Sequence, residues 1–117
     1  MGARKIKHRG KEILYLDFRN MDQKGIIEDL ESMTKLVLDE NKPFVFVTDL
    51  HDTYATTAVM EAAYVFGKKT KHLLTKSAIT GVSGAKTILL KAYNRITNSS
   101  TRTFDTAEEA FDYLSEN

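Results

Sequence analysis

Four consecutive apolar residues, Phe44-Val45-Phe46-Val47, follow the chain's one proline, Pro43. Side chains of a strand alternate between faces, so such a run is apolar on both sides of a sheet. It demands cover above and below, the setting of a central parallel strand in a layered α/β domain. The rest of the pattern agrees. Arg4–Arg9 and Glu12–Arg19 read as two strands around a turn at Gly10-Lys11. In the second, Ile13, Tyr15 and Asp17 alternate with Leu14, Leu16 and Phe18. The first is rich in cations (Arg4, Lys5, Lys7, Arg9), which suits a sheet edge.

Asp22 can cap a helix to about Asn41, with Ile26, Leu30, Met33 and Val37 on one stripe. A strand over Phe44–Leu50 follows. Thr56 or Thr57 opens a second helix with Val59, Ala62, Ala63, Phe66 and Leu73 inward. Gly67 interrupts this stripe, at a cost of about 1 kcal/mol against alanine, and points to close packing there. Ser77–Val82 predicts a strand, and Ser83-Gly84 a turn into a third helix. The expected inner face of that helix is Ala85, Ile88, Leu89, Ala92 and Ile96. Thr103-Phe104-Asp105 predicts the last strand. Thr106 and Glu109 form a T-x-x-E capping box for a helix burying Ala107, Ala110, Phe111 and Leu114. The order is β-β-α-β-α-β-α-β-α: a mixed, mostly parallel five-stranded sheet with four helices, in one domain over 1–117.

At 42% hydrophobic and 28% charged, 117 residues can bury a core without disulfides or a metal. With no cysteine, disulfides, thiolate chemistry and Cys-based zinc sites are excluded. No apolar run approaches the roughly 20 residues that span a bilayer. The first residues carry no signal core, and Ile6 stands where a myristoylation motif needs Ser or Thr. A cytoplasmic module is the expectation.

Charge is divided along the chain. From Ala62 to Phe104 there is no Asp or Glu, while Lys68, Lys69, Lys71, Lys76, Lys86, Lys91, Arg95 and Arg102 all fall there. The remainder keeps nine basic residues against sixteen acidic ones. Such a chain can present a basic face that attracts anionic partners. The dipole accounts for the run Lys68-Lys69-Thr70-Lys71 at the end of helix two. It does not account for Lys91 and Arg95, four apart on helix three. Only Tyr93 is an exposed aromatic candidate beside them, which argues against nucleic acid.

Ligands in open α/β sheets usually bind beyond the C-terminal ends of the strands. Four loops should gather there: Asn20-Met21-Asp22, His51-Asp52-Thr53-Tyr54, Ser83-Gly84 and Asp105-Thr106. The segment Asp49–Thr57 concentrates Asp49, His51, Asp52, Thr53, Thr56 and Thr57. Its acids and histidine have the composition of an acid/base or metal site, but no second histidine is near and no nucleophile is identifiable. Asp49 reads as an acceptor for backbone N–H groups and the threonines as caps. Ser83 and Gly84 before Lys86 could cradle a small anion, although neither a P-loop nor a G-x-G-x-x-G pattern is present. The plainer reading makes Ser83 an N-cap. No catalytic residue, metal ligand or cofactor is assigned.

Ala78-Ile79-Thr80-Gly81-Val82-Ser83-Gly84, Ile88-Leu89-Leu90-Lys91-Ala92-Tyr93-Asn94-Arg95, Phe104-Asp105-Thr106-Ala107-Glu108-Glu109-Ala110 and the Phe44–Asp49 strand resemble the STAS-like group. That group is named for sulfate transporters and anti-sigma-factor antagonists, and the likeness is to a branch of small bacterial proteins without an assigned role. The resemblance implies a binding or regulatory module rather than an enzyme, with a protein partner. In the antagonists a serine at the start of the second helix is phosphorylated. Here that place, Asp52–Thr57, holds no serine, only Thr53, Thr56 and Thr57. The expected recognition surface joins Asp49–Thr57, Ser83-Gly84, Lys86 and the basic face of Lys91 and Arg95. The alternative is a protein that binds a small anion or a phosphorylated lipid headgroup at helix N-termini. The sequence leaves room for a homodimer.

Overall fold

The computed structural model describes residues 2–116, so Met1 and Asn117, the ends of the expected domain, lie outside the described residues. Strands β1 (Ala3–His8) and β2 (Lys11–Asp17) form an antiparallel hairpin. Helix α1 (Gln23–Glu40), β3 (Phe44–Asp49), α2 (Thr57–Thr70), β4 (Leu74–Thr80), α3 (Ala85–Thr97), β5 (Arg102–Phe104) and α4 (Ala107–Ser115) follow. The sheet order is β1-β2-β3-β4-β5, with β2 to β5 parallel. The cationic strand is at the edge and β3 at the centre, as their compositions require.

Boundaries moved where backbone geometry overrides composition. The hairpin turn is Arg9-Gly10, not Gly10-Lys11, because both residues adopt φ > 0 (52° and 78°), as a tight two-residue turn needs. Helix α2 stops at Thr70, and Leu73 lies in a single 3-10 turn, Lys71–Leu73, beyond it. Strand β4 begins earlier than expected, at Leu74, and ends before Gly81, whose φ of 78° leaves the strand region.

Two apolar clusters flank the sheet. Leu14, Leu16 and Phe46 point towards α1 and α2, meeting Ile26, Leu30, Val37, Val59 and Phe66. Ile13, Tyr15, Val45, Val47 and Ala78 point the other way, towards Ala110 and Leu114 of α4. Right-handed crossovers between strands taken in sequence place α1, α2 and α3 on one face. Helix α3 rests on α2 at Gly67, where an added Cβ would lie 2.7 Å from both Thr97 Cγ2 and Tyr93 Oη. The close packing expected at Gly67 is therefore with α3. Only Tyr93 and Thr97 of α3 are buried. Between α2, α3 and the sheet lies an apolar cavity of about 70 Å³, bordered by Val59, Phe66, Ile79, Leu89, Leu90 and Tyr93.

The face of α3 differs from the sequence expectation. Ile88 is 70% exposed and Ile96 43%, while Tyr93, expected outside, is buried and stacks on Tyr64. Burial pushes the Tyr93 phenol up to about 12. The helix is turned so that Lys86, Leu89, Leu90, Tyr93 and Thr97 face inward. Gly67 accounts for the choice: the bulk of Tyr93 fills the space that the glycine leaves.

Candidate functional site

Because β2 to β5 are parallel, the loops after them emerge at one edge. His51, Asp52, Thr53, Tyr54, Gly81, Val82, Ser83, Lys86, Phe104 and Asp105 surround a broad, solvent-open depression there. Asn20, Met21 and Asp22 border a neighbouring one with Asp52, Tyr54 and Thr56. The four loops thus come together as the topology demands. Strand order never reverses within the parallel part, so no crevice opens between diverging helices. The edge is a wide surface.

A charge cluster lies at the ends of β2 and β3. Asp17 and Asp49 end adjacent strands in register. Two carboxylates side by side on one face need a cation. Arg19 supplies it, with Nε 2.7 Å from Asp17 Oδ1 and 3.7 Å from Asp49 Oδ2, and Nη2 donating to Asp17 Oδ2 at 2.9 Å. Arg4 approaches Asp17 from β1 at 3.4 Å. The Arg19 guanidinium holds the Asp17 carboxyl below the usual range, and Asp17 in turn raises Arg19. Asp49 is buried, and its Oδ1 accepts the His51 N–H at 3.0 Å as expected for a strand-end acceptor. It also lies 2.7 Å from His51 Nδ1, which turns the other ring nitrogen of the exposed imidazole away from the pair. Arg19 and Asp17 were not singled out in the sequence. The available signal was two strands that both end in Asp, which becomes informative only with the register.

The remaining expected site residues have separate tasks. Thr53 is buried and donates to the Phe18 carbonyl at 2.6 Å, which closes its hydroxyl to other chemistry. Thr56 caps α2 by accepting the Val59 N–H and donates to Gln23 Oε1 at 2.6 Å. Thr57 is exposed in the first turn. Asp52 is exposed at φ 56° on the loop tip, and Tyr54 beside it is 90% exposed. Ser83 is not the cap of α3: Gly84 holds that position without a side-chain bond, and Ser83 accepts the Lys86 N–H through its carbonyl. Lys86 is not a free cation. Its Nζ donates to the Leu50 carbonyl at 2.7 Å and the Gly81 carbonyl at 3.3 Å, tying the β3 and β4 loops together. Gly81 presses on the same loop: a Cβ would come 2.4 Å from the His51 nitrogen.

The eight cations of the acid-free segment divide in two. Lys71 donates to the Asn98 carbonyl, Lys76 to the Tyr113 and Glu116 carbonyls, Lys86 as above, and Arg102 lies over the Phe104 and Tyr113 rings. Lys68, Lys69, Lys91 and Arg95 are exposed and make no side-chain hydrogen bond or ion pair among the described residues. Every ion pair among the described residues draws its cation from outside the segment: Arg4, Lys5, His8, Arg9, Arg19, Lys35, Lys42 or His51.

No family model matches the chain, and no curated protein matches it. Among solved structures, an anti-sigma-factor antagonist (STAS) domain protein from Planctomyces limnophilus superposes with a TM-score of 0.66. The match covers 97% of this chain and 98% of that one, at 14% identity. This chain has a STAS-like fold. The match supports the resemblance drawn from the Ala78–Gly84 and Phe104–Ala110 stretches as far as architecture goes. In the STAS-like frame, the Asp52–Thr57 segment leads into α2, and Lys91 and Arg95 occupy the outside of the last helix on that side of the sheet. No described helix is long and apolar enough to cross a membrane. No cluster of three metal-ligating side chains occurs among the described residues.

Proposed function

We propose that this chain is a non-enzymatic protein-interaction module of STAS-like type, working in the cytoplasm as one domain over 1–117. Its recognition surface joins the exposed Asp52 and Tyr54, Thr57, the Ser83-Gly84 turn and the outer side of α3. The carrying observation is that Lys91 and Arg95 stand in an acid-free segment with neither carboxylate nor carbonyl partners among the described residues. Cations that the fold does not use are available to an anionic partner. Asp49, His51 and Lys86 hold the loops in place and act as positioning residues. Of the three threonines, only Thr57 offers an exposed hydroxyl without a hydrogen-bond partner among the described residues, so a phosphate-regulated switch would act there. The small-anion alternative loses its lysine, because Lys86 is engaged by two carbonyls.

The test is capture from native lysate at low salt, with the partner identified. Lys91→Glu/Arg95→Glu and, separately, Tyr54→Ala should each deplete it. Retention by both variants would refute this surface.

A further inference from the structure

We propose that the outer face of α3 is a docking strip for an acidic amphipathic helix. The inference rests on the reading of α3 as part of a recognition surface and adds the chemistry of what binds. Ile88, Ala92 and Ile96 follow one another at intervals of four residues, along about 12 Å of helix. Ile88 is 70% exposed and Ile96 43%, with a half-buried alanine between them. An i, i+4, i+8 ridge with a small residue at its middle offers a notch into which a crossing helix can set one apolar side chain. A single exposed isoleucine needs no explanation, whereas two along one ridge form a patch.

The charges select the occupant. Lys91 and Arg95 run along one side of the ridge, and Lys68 and Lys69 follow the glycine that seats α2 on Tyr93 and Thr97. The nearest acids in the sequence lie before Ala62 and after Phe104. A second copy laid two-fold on the strip would set Lys91 and Arg95 against themselves, and like charges across an interface are unfavourable. Nucleic acid would meet the cations but leave both isoleucines in water, and the one aromatic of the helix, Tyr93, is buried. A helix with an apolar stripe and flanking carboxylates satisfies the ridge and the cations together.

The test uses isotope-labelled protein and two synthetic helical peptides sharing one leucine pattern, flanked in one by glutamates and in the other by lysines. The glutamate peptide should shift the amides of Ile88, Lys91, Ala92, Arg95 and Ile96. Its affinity should fall about tenfold in Lys91→Glu/Arg95→Glu and in Ile88→Asp, all surface changes that leave the fold intact by circular dichroism. The lysine peptide should leave the wild type unperturbed. Tyr54→Ala should bind the glutamate peptide as the wild type does, so failure of the loop half of the surface reads out separately from failure of the strip. An equal response to both peptides, shifts confined to the loops, or none would overturn the proposal. So would a concentration-dependent dimer abolished by Ile88→Asp, which would show that a second copy covers the strip.

Discussion

Lys86 occupies the first turn of α3, where an ammonium group could meet a bound anion, yet it donates to two backbone carbonyls of neighbouring loops. Its charge is spent on the fold. Lys86→Met should therefore cost about 1.5–3 kcal/mol in urea unfolding, the range for hydrogen bonds to charged groups. Tyr93 carries a pH signature. Its phenol rises from 10.0 to about 12 through burial, so the folded state holds the proton more tightly than the unfolded one. The associated stability is complete below pH 10 and is lost as pH climbs towards 12. Tyr93→Phe should flatten that alkaline decline in a series of thermal melts. Asp17 works in the opposite sense. Arg19 depresses its carboxyl, so its contribution is present above the usual carboxylate range and disappears as pH falls through the lower folded value. Asp17→Asn should make acid unfolding less steep.

At the level of elements, α3 is lightly anchored for its length of 13 residues. It buries two residues, borders a cavity and meets its neighbour through Gly67. Its amides should exchange with solvent faster than those of α1, which buries five residues. Gly67→Ala would add about 1 kcal/mol from helix propensity alone. The new methyl meets Thr97 and Tyr93 at 2.7 Å, and overpacking of this kind costs about 1–3 kcal/mol, so the variant should be less stable by calorimetry. The same helix shows why its orientation was not legible in the sequence. Ile88 and Ile96 mark one apolar stripe, and Leu89, Leu90 and Tyr93 mark another. Periodicity says that a stripe exists but cannot say which one faces the core. Where only one stripe exists, as in α1 and α4, the inner residues were readable directly. The Asp17–Arg19–Asp49 cluster was hidden for a related reason: it depends on the register of two strands 32 residues apart. The loops of the site were placed by strand order, which the alternating pattern encodes.

For the whole molecule, the division of charge in the sequence survives folding. Ion pairs knit β1, β2, α1 and α4, for example Lys5 to Glu40 and Arg9 to Asp112, while Lys91 and Arg95 of α3 and Lys68 and Lys69 at the end of α2 have no partner among the described residues. Recognition through this surface requires those cations to be idle in the fold. The most direct measurement is the urea unfolding free energy of Lys91→Glu/Arg95→Glu. It should stay within about 0.5 kcal/mol of the wild type, the range of surface changes that touch nothing. A loss of about 2 kcal/mol or more would contradict the account, because it would show that these side chains already serve the fold and are not held in reserve for a partner.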